Sequence, residues 1–89
     1  MLRPIYSKRF KQDKDKMLSQ GKDIEKIKTV MRSLINEEPL PGKYRDHKLV
    51  GNYKDRRECH IEPDWLLIYK KTSDAIIFER TGSHSELFK

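Results

Sequence analysis

Residues 58–69 read Glu58-Cys59-His60-Ile61-Glu62-Pro63-Asp64-Trp65-Leu66-Leu67-Ile68-Tyr69. Pro63 has no N–H and a fixed φ, so it belongs in a turn and not in a paired strand. The stretch therefore reads as strand, tight turn, strand. The second strand is apolar on both faces, with Trp65, Leu67 and Tyr69 on one and Leu66 and Ile68 on the other. That is the pattern of a central strand covered on both sides. His60 and Asp64 stand at either end of the turn, so two ionisable groups are anchored beside the stiffest part of the fold.

Working outward, three strands are expected at about 54–61, 65–71 and 75–81, with Thr72, Ser73 and Asp74 as the second hairpin turn. Alternation along the last strand places Ile76, Phe78 and Arg80 on one face. Gly82 breaks that strand, and a short tail follows with Leu87 and Phe88 as anchors. Upstream, Pro39, Pro41 and Gly42 open a polar loop to about Asn52 that carries Tyr44, Arg45, Asp46, His47 and Lys48. A loop of that length in so small a chain is more often functional than idle. Before it, Ile24, Ile27, Val30, Met31, Leu34 and Ile35 give the strongest helical stripe, over about 24–36, with Asp23 as cap. A first helix over about 8–20 is capped by Ser7, carries a sparse Phe10, Met17, Leu18 stripe and ends at Gly21. Leu2–Tyr6 is a candidate strand that Pro4 confines to an edge. The order β-α-α-β-β-β plus tail predicts an α+β fold, a small sheet with a helical hairpin on one face and the other face partly open. Residues 1–89 are expected to form a single domain.

The formal net charge is +6. Residues 1–32 carry ten Lys/Arg against four Asp/Glu, whereas residues 33–89 carry ten of each. The excess lies wholly in the N-terminal third, which suits a polyanion, most of all nucleic acid, and on charge alone suits a solvated helix surface equally well. The lone Cys59 excludes an intrachain disulfide and suits a reducing cytosol. No apolar run approaches the roughly 20 residues that span a bilayer, and the N-terminus has no signal-peptide core. A cytoplasmic protein is expected.

All three histidines, His47, His60 and His84, fall in the C-terminal half, each beside Arg, Asp, Glu or Gly. Histidine titrates near ~6.5, so a pair can act as base and acid at neutral pH. Arginine is the natural partner for charge building up on a phosphate. Together with a basic body, these residues form a set for metal-free RNA cleavage, in which a 2′-OH attacks the adjacent phosphorus. Zinc is the competing reading, with Cys59, His60, His47 and His84 as ligands. The absence of any CxxC or HxxxH pair opposes it, and Cys59 and His60, adjacent on a strand, point to opposite faces. Gly42, Gly51 and Gly82 are isolated turn glycines, so no phosphate-binding glycine loop exists. Tyr44 and Tyr53 are candidates for base stacking, while Trp65 and Phe88 read as core or tail anchors. Asp64 reads as a group that orients a histidine or holds the turn.

Three blocks carry a family resemblance: Pro-Leu-Pro-Gly-Lys-Tyr-Arg-Asp-His-Lys-Leu at 39–49, the run from Gly51 to Tyr69, and Phe-Glu-Arg-Thr-Gly-Ser-His-Ser-Glu-Leu-Phe at 78–88. The chain resembles the YafQ branch of the RelE superfamily, toxins of type II toxin–antitoxin systems that act as mRNA interferases. The resemblance implies a ribosome-dependent endoribonuclease that enters the A site, cuts mRNA without a metal or other cofactor and so inhibits translation. It implies a cognate DinJ-like antitoxin, contacts with ribosomal RNA and mRNA, operator DNA only through the toxin–antitoxin complex, and no membrane. Carried over by position, the active-site histidine falls on His84 as general acid, with His47 or His60 as base, Asp64 orienting the pair and Arg80 clamping phosphate. Phe88 is the matching tail aromatic, and Tyr44, Arg45, Lys48, Tyr53 and Lys54 are the expected RNA contacts. Tyr53 stands where some relatives carry tryptophan, and Lys48 where some carry proline. A charge at Lys48 disfavours protonation of His47, which suits a base. The alternatives are a gyrase poison of the same fold and a non-catalytic nucleic-acid-binding module.

Overall fold

Two capped helices begin the architecture. Ser7 Oγ accepts from the Phe10 N–H at 2.9 Å and starts α1, Lys8–Ser19. The Asp23 carboxylate accepts from the Glu25 N–H at 3.0 Å and starts α2, Ile24–Ile35. Gly21, at φ +83°, supplies the left-handed residue that lets the chain turn between them. The computed structural model describes residues 1–51 and 55–88, so the expected contacts Tyr53 and Lys54 lie outside it.

Five strands form one sheet: β1 Arg3–Tyr6, β2 His47–Lys48, β3 Arg57–Glu62, β4 Trp65–Lys71 and β5 Ala75–Gly82. Their order is β1-β5-β4-β3-β2. β1 runs parallel to β5, with Arg3 opposite Ala75 and Tyr6 opposite Phe78, and the other pairs are antiparallel. β4 is central as expected, and Trp65 to Tyr69 are all buried.

Two cores divide the sheet. On the hairpin side, Phe10, Met17, Ile27, Val30 and Leu34 pack against Cys59, Trp65, Leu67, Tyr69, Ile76 and Phe78. Each large apolar side chain buried here contributes about 1.5–3 kcal/mol relative to exposure. On the opposite side, Leu66, Ile68 and Leu87 form a small cluster with Leu49 against it. That face is half covered by α3, His84–Leu87, which the tail forms. Ser83 and Glu86 make a reciprocal capping box at its start. Gly82 allows this docking, because a Cβ there would stand 3.2 Å from Glu86 Oε1.

The sheet departs from the expected pattern twice. β2 is a two-residue strand within the polar loop, opposite Glu58 and Arg57 of β3. The other departure is a bulge in β5, where Tyr69 lies opposite Phe78 but Ile68 lies opposite Arg80. Glu79 is the extra residue. Alternation put Arg80 on the Phe78 face; the bulge moves it into the row of Ile68. No helix among the described residues is long and apolar enough to cross a membrane.

Candidate active site

β3 sorts its side chains by alternation. Cys59 and Ile61 enter the hairpin core, while Glu58 and His60 face the other way. β2 then sets His47 opposite Glu58. The turn after β3 supplies Asp64, and α3 supplies His84 at its first residue. The rings form a line, with centroids 6.3 Å apart for His47–His60, 5.7 Å for His60–His84 and 6.2 Å for His84–Phe88.

Each histidine is held by the same nitrogen. His47 Nδ1 lies 2.6 Å from Arg45 O, His60 Nδ1 3.3 Å from Pro63 O, and His84 Nδ1 2.9 Å from Asp64 Oδ1. Carbonyls and carboxylates only accept, so Nδ1 is the donor in each of these contacts, while the Nε2 atoms of His47 and His60 turn to a carboxylate. His47 Nε2 lies 3.6 Å and His60 Nε2 3.3 Å from the same oxygen, Glu58 Oε1. Glu58 is a buried carboxylate between two imidazoles, with 5% of its side chain exposed. Sequence reasoning missed it, although its place two residues before His60 on a strand was the signal.

Asp64 accepts from the His84 backbone N–H at 3.0 Å and from the ring. The backbone N–H first, and then the ring, hold the Asp64 carboxyl below the ordinary carboxylate range. The carboxylate therefore stays ionised and fixes the ring of His84. Glu62, two residues away, takes no part; it binds Lys26 at 2.8 Å and Lys22 at 3.1 Å on the hairpin.

The remaining sequence candidates divide. Arg80 stands across Ile68 from Glu58, on the row of the cleft, but its guanidinium is paired with Asp13 of α1. Tyr44 is half-buried against the hairpin core, with Lys43 Nζ 5.2 Å from its ring centroid. Arg45, in the left-handed region at φ +49°, lines with Tyr44 and His60 a cavity of about 680 Å³ beside β3. Lys48 is exposed on the sheet edge, and Phe88 is 40% exposed beside His84. Trp65 is core, its indole N–H donating to Thr81 Oγ1 at 2.9 Å. Cys59 is also core, and burial above all pushes its thiol up, so it is neither nucleophile nor ligand. The residues suited to hold a cation are instead Glu58, His60 and His84, whose ligand atoms lie within 4.8 Å of one another.

A small α+β fold, one sheet with a helical hairpin on one face, is the architecture of the RelE-like toxins. The sequence pattern of the family described as "Bacterial toxin of type II toxin-antitoxin system, YafQ" matches residues 2–89, and the chain belongs to that family. The mRNA interferase toxin YafQ of Escherichia coli K12 is 46% identical over 84 residues, 93% of this chain and 91% of the relative. The toxin in the crystal structure of the E. coli DinJ–YafQ complex superposes with a TM-score of 0.94 at 43% identity, covering 100% of both chains. A metal-bound toxin from Helicobacter pylori superposes with a TM-score of 0.93 at 42% identity, covering 99% of this chain and 100% of the other.

Proposed function

We propose that this toxin is a ribosome-dependent endoribonuclease that cleaves mRNA in the A site by acid/base catalysis without a metal. The observation that carries the reading is the gathering of three histidines in one cleft, each anchored through Nδ1 and each beside a carboxylate, Glu58 or Asp64. His84, fixed by Asp64, protonates the departing 5′-oxygen. His47 or His60 removes the 2′-OH proton. The 2′-oxygen bonds to phosphorus as the P–O5′ bond breaks, leaving a 2′,3′-cyclic phosphate and a 5′-OH. Arg80 stabilises the charge on the phosphorane-like transition state. Glu58 orients the two candidate bases. Tyr44, Arg45, Lys48 and Phe88 contact the message around the cleft.

The protein works in the cytoplasm, and a DinJ-like antitoxin neutralises it; operator DNA is bound only by the two together. The partner follows the E. coli complex of DinJ with YafQ. Primer extension on a reporter mRNA, after induction of wild type and His84→Ala, tests the reading. Translation-dependent cuts with wild type alone are expected. Wild-type cuts by His84→Ala would remove it from the chemistry, and rapid cutting of naked mRNA at the same sites would remove the ribosome from the mechanism.

A second reading concerns cations. The metal-bound H. pylori toxin and the Glu58, His60, His84 cluster support binding of a soft divalent ion in this cleft. Such an ion would occupy the nitrogens that move protons, so it acts as an inhibitor. Cleavage unchanged by chelator and reduced by added copper or zinc is expected, while loss of activity in chelator would make the metal part of the reaction.

A further inference from the structure

The guanidinium of Arg80 is held by a carboxylate of α1. Nε donates to Asp13 Oδ2 at 2.6 Å and Nη2 to Asp13 Oδ1 at 3.2 Å, the two parallel bonds of an arginine–carboxylate fork. Only 15% and 16% of the two side chains are exposed, so water competes weakly for the pair. The carboxylate is itself fixed. The Thr81 N–H donates to Oδ2 at 3.2 Å, and the buried Thr81 hydroxyl donates to Leu66 O at 2.7 Å while accepting from Trp65 Nε1 at 2.9 Å. Topology explains the arrangement. The β1–β5 pairing ends at Tyr6 and Phe78, and beyond that point Asp13 of α1 takes up the backbone donor of Thr81.

Register puts Arg80 on the face of the cleft, two strands from Glu58 and three from His47. His47 lies opposite Glu58, Glu58 opposite Ile68, and Ile68 opposite Arg80. A carboxylate on the helical hairpin thus sets the posture of an arginine in the row of the histidines. We infer that Asp13 is a positioning residue for RNA cleavage, holding the Arg80 guanidinium in one posture for the scissile phosphate. The inference rests on the reading of Arg80 as the phosphate contact. An arginine held this way has lost its rotamer freedom before RNA arrives, so none is lost as the transition state forms. If Asp13 only fastened α1 to β5, its removal would lower stability and leave the rate of each folded molecule alone.

Single-turnover cleavage of an mRNA programmed on ribosomes separates the two, using the full chain as wild type, Asp13→Ala, Asp13→Asn, Arg80→Ala and the Asp13→Ala/Arg80→Ala double variant. Folding of each is checked by circular dichroism. Asp13→Ala is expected to slow cleavage at saturating toxin about 10- to 100-fold, as misplacement of a reacting group does. Its half-saturating concentration should stay within about twofold, because only transition-state contact is lost. Asp13→Asn keeps an oxygen for the Thr81 N–H but sets an NH₂ against Nη2, and should fall in between. In the Arg80→Ala background, Asp13→Ala should cost nothing further. Wild-type rates for folded Asp13→Ala, or for Asp13→Asn should the alanine variant not fold, overturn the inference. So does a loss repeated in full in the Arg80→Ala background. Wild-type cleavage by Arg80→Ala would show instead that the reading of Arg80 itself has failed, and the inference would fall with it.

Discussion

The two faces of β3 are one residue apart and obey opposite rules. Cys59 and Ile61 enter a core in which apolar groups exclude water. Glu58 and His60 are as deeply placed, with 5% and 12% of their side chains exposed, yet they meet charges and polar atoms. The first face lowers the free energy of the fold; the second gathers ionisable groups. The lesson is separability. On β3 the stabilising face and the face of the proposed reaction are distinct, so substitutions that reach only one of them should damage one property without the other.

The largest expected effect breaks the cleft alone. His84→Ala should lower cleavage about 100- to 10,000-fold, the range of a general acid or base, equivalent to about 3–5 kcal/mol of barrier. The side chain is 54% exposed, so urea denaturation should find stability nearly unchanged. An equal loss of stability would mean that the faces are coupled. Trp65→Ala reverses the case. It removes a buried indole and should cost about 3–5 kcal/mol of stability in the same denaturation, while the loss of cleavage per folded molecule stays below that of Asp13→Ala, since the indole reaches Asp13 only through Thr81.

Glu58→Gln sharpens the comparison, since it keeps shape and removes charge. Cleavage on ribosomes should fall about tenfold, because His47 and His60 lose the carboxylate they share. Its melting temperature should shift little, and a large drop would reassign Glu58 to the fold. The smallest effect concerns α3. The Lys16 ammonium, 2.6 Å from Glu86, and then the Ser83 N–H hold the Glu86 carboxyl at about 2, below its ordinary 4.5. A depressed carboxyl stabilises the fold fully above its ordinary value and loses that contribution as pH falls through about 2. The pair is partly solvated, so the contribution is at most about 1 kcal/mol. Denaturation between pH 5 and pH 2 should show it in wild type and not in Glu86→Gln.

Much of the hairpin side was legible in the sequence because its signals are local. Ser7 and Asp23 announce the helices, Ile27, Val30 and Leu34 repeat at helical spacing, and Trp65–Tyr69 read as a buried strand. The cleft was legible in composition, for the structure does set His47, His60, Asp64 and His84 near one another. Its supports were not. Glu58 looks like any strand glutamate until β2 crosses beside it, and two residues are too few to signal a strand. The bulge that redirects Arg80 follows from the meeting of two strands, which no local preference encodes. The Arg80–Asp13 bond joins residues 67 apart in the chain. The opposite faces of Cys59 and His60, by contrast, were legible from strand alternation, and the carboxylate on the cleft face, not the thiol on the core face, stands beside His60.

The parallel pairing of β1 with β5 has a consequence in time. β1 leaves the ribosome first of the five strands and finds its partner only when β5, made last, has followed; Arg3 waits for Ala75. The sheet therefore closes on a contact of high sequence separation, the slowest kind to form. Neither the row that holds Arg80 nor the helix that begins with His84 exists before β5 has been made. During its own synthesis the growing toxin has its basic hairpin but no assembled cleft. Its order of assembly delays the activity until the strand joining the two ends has been made.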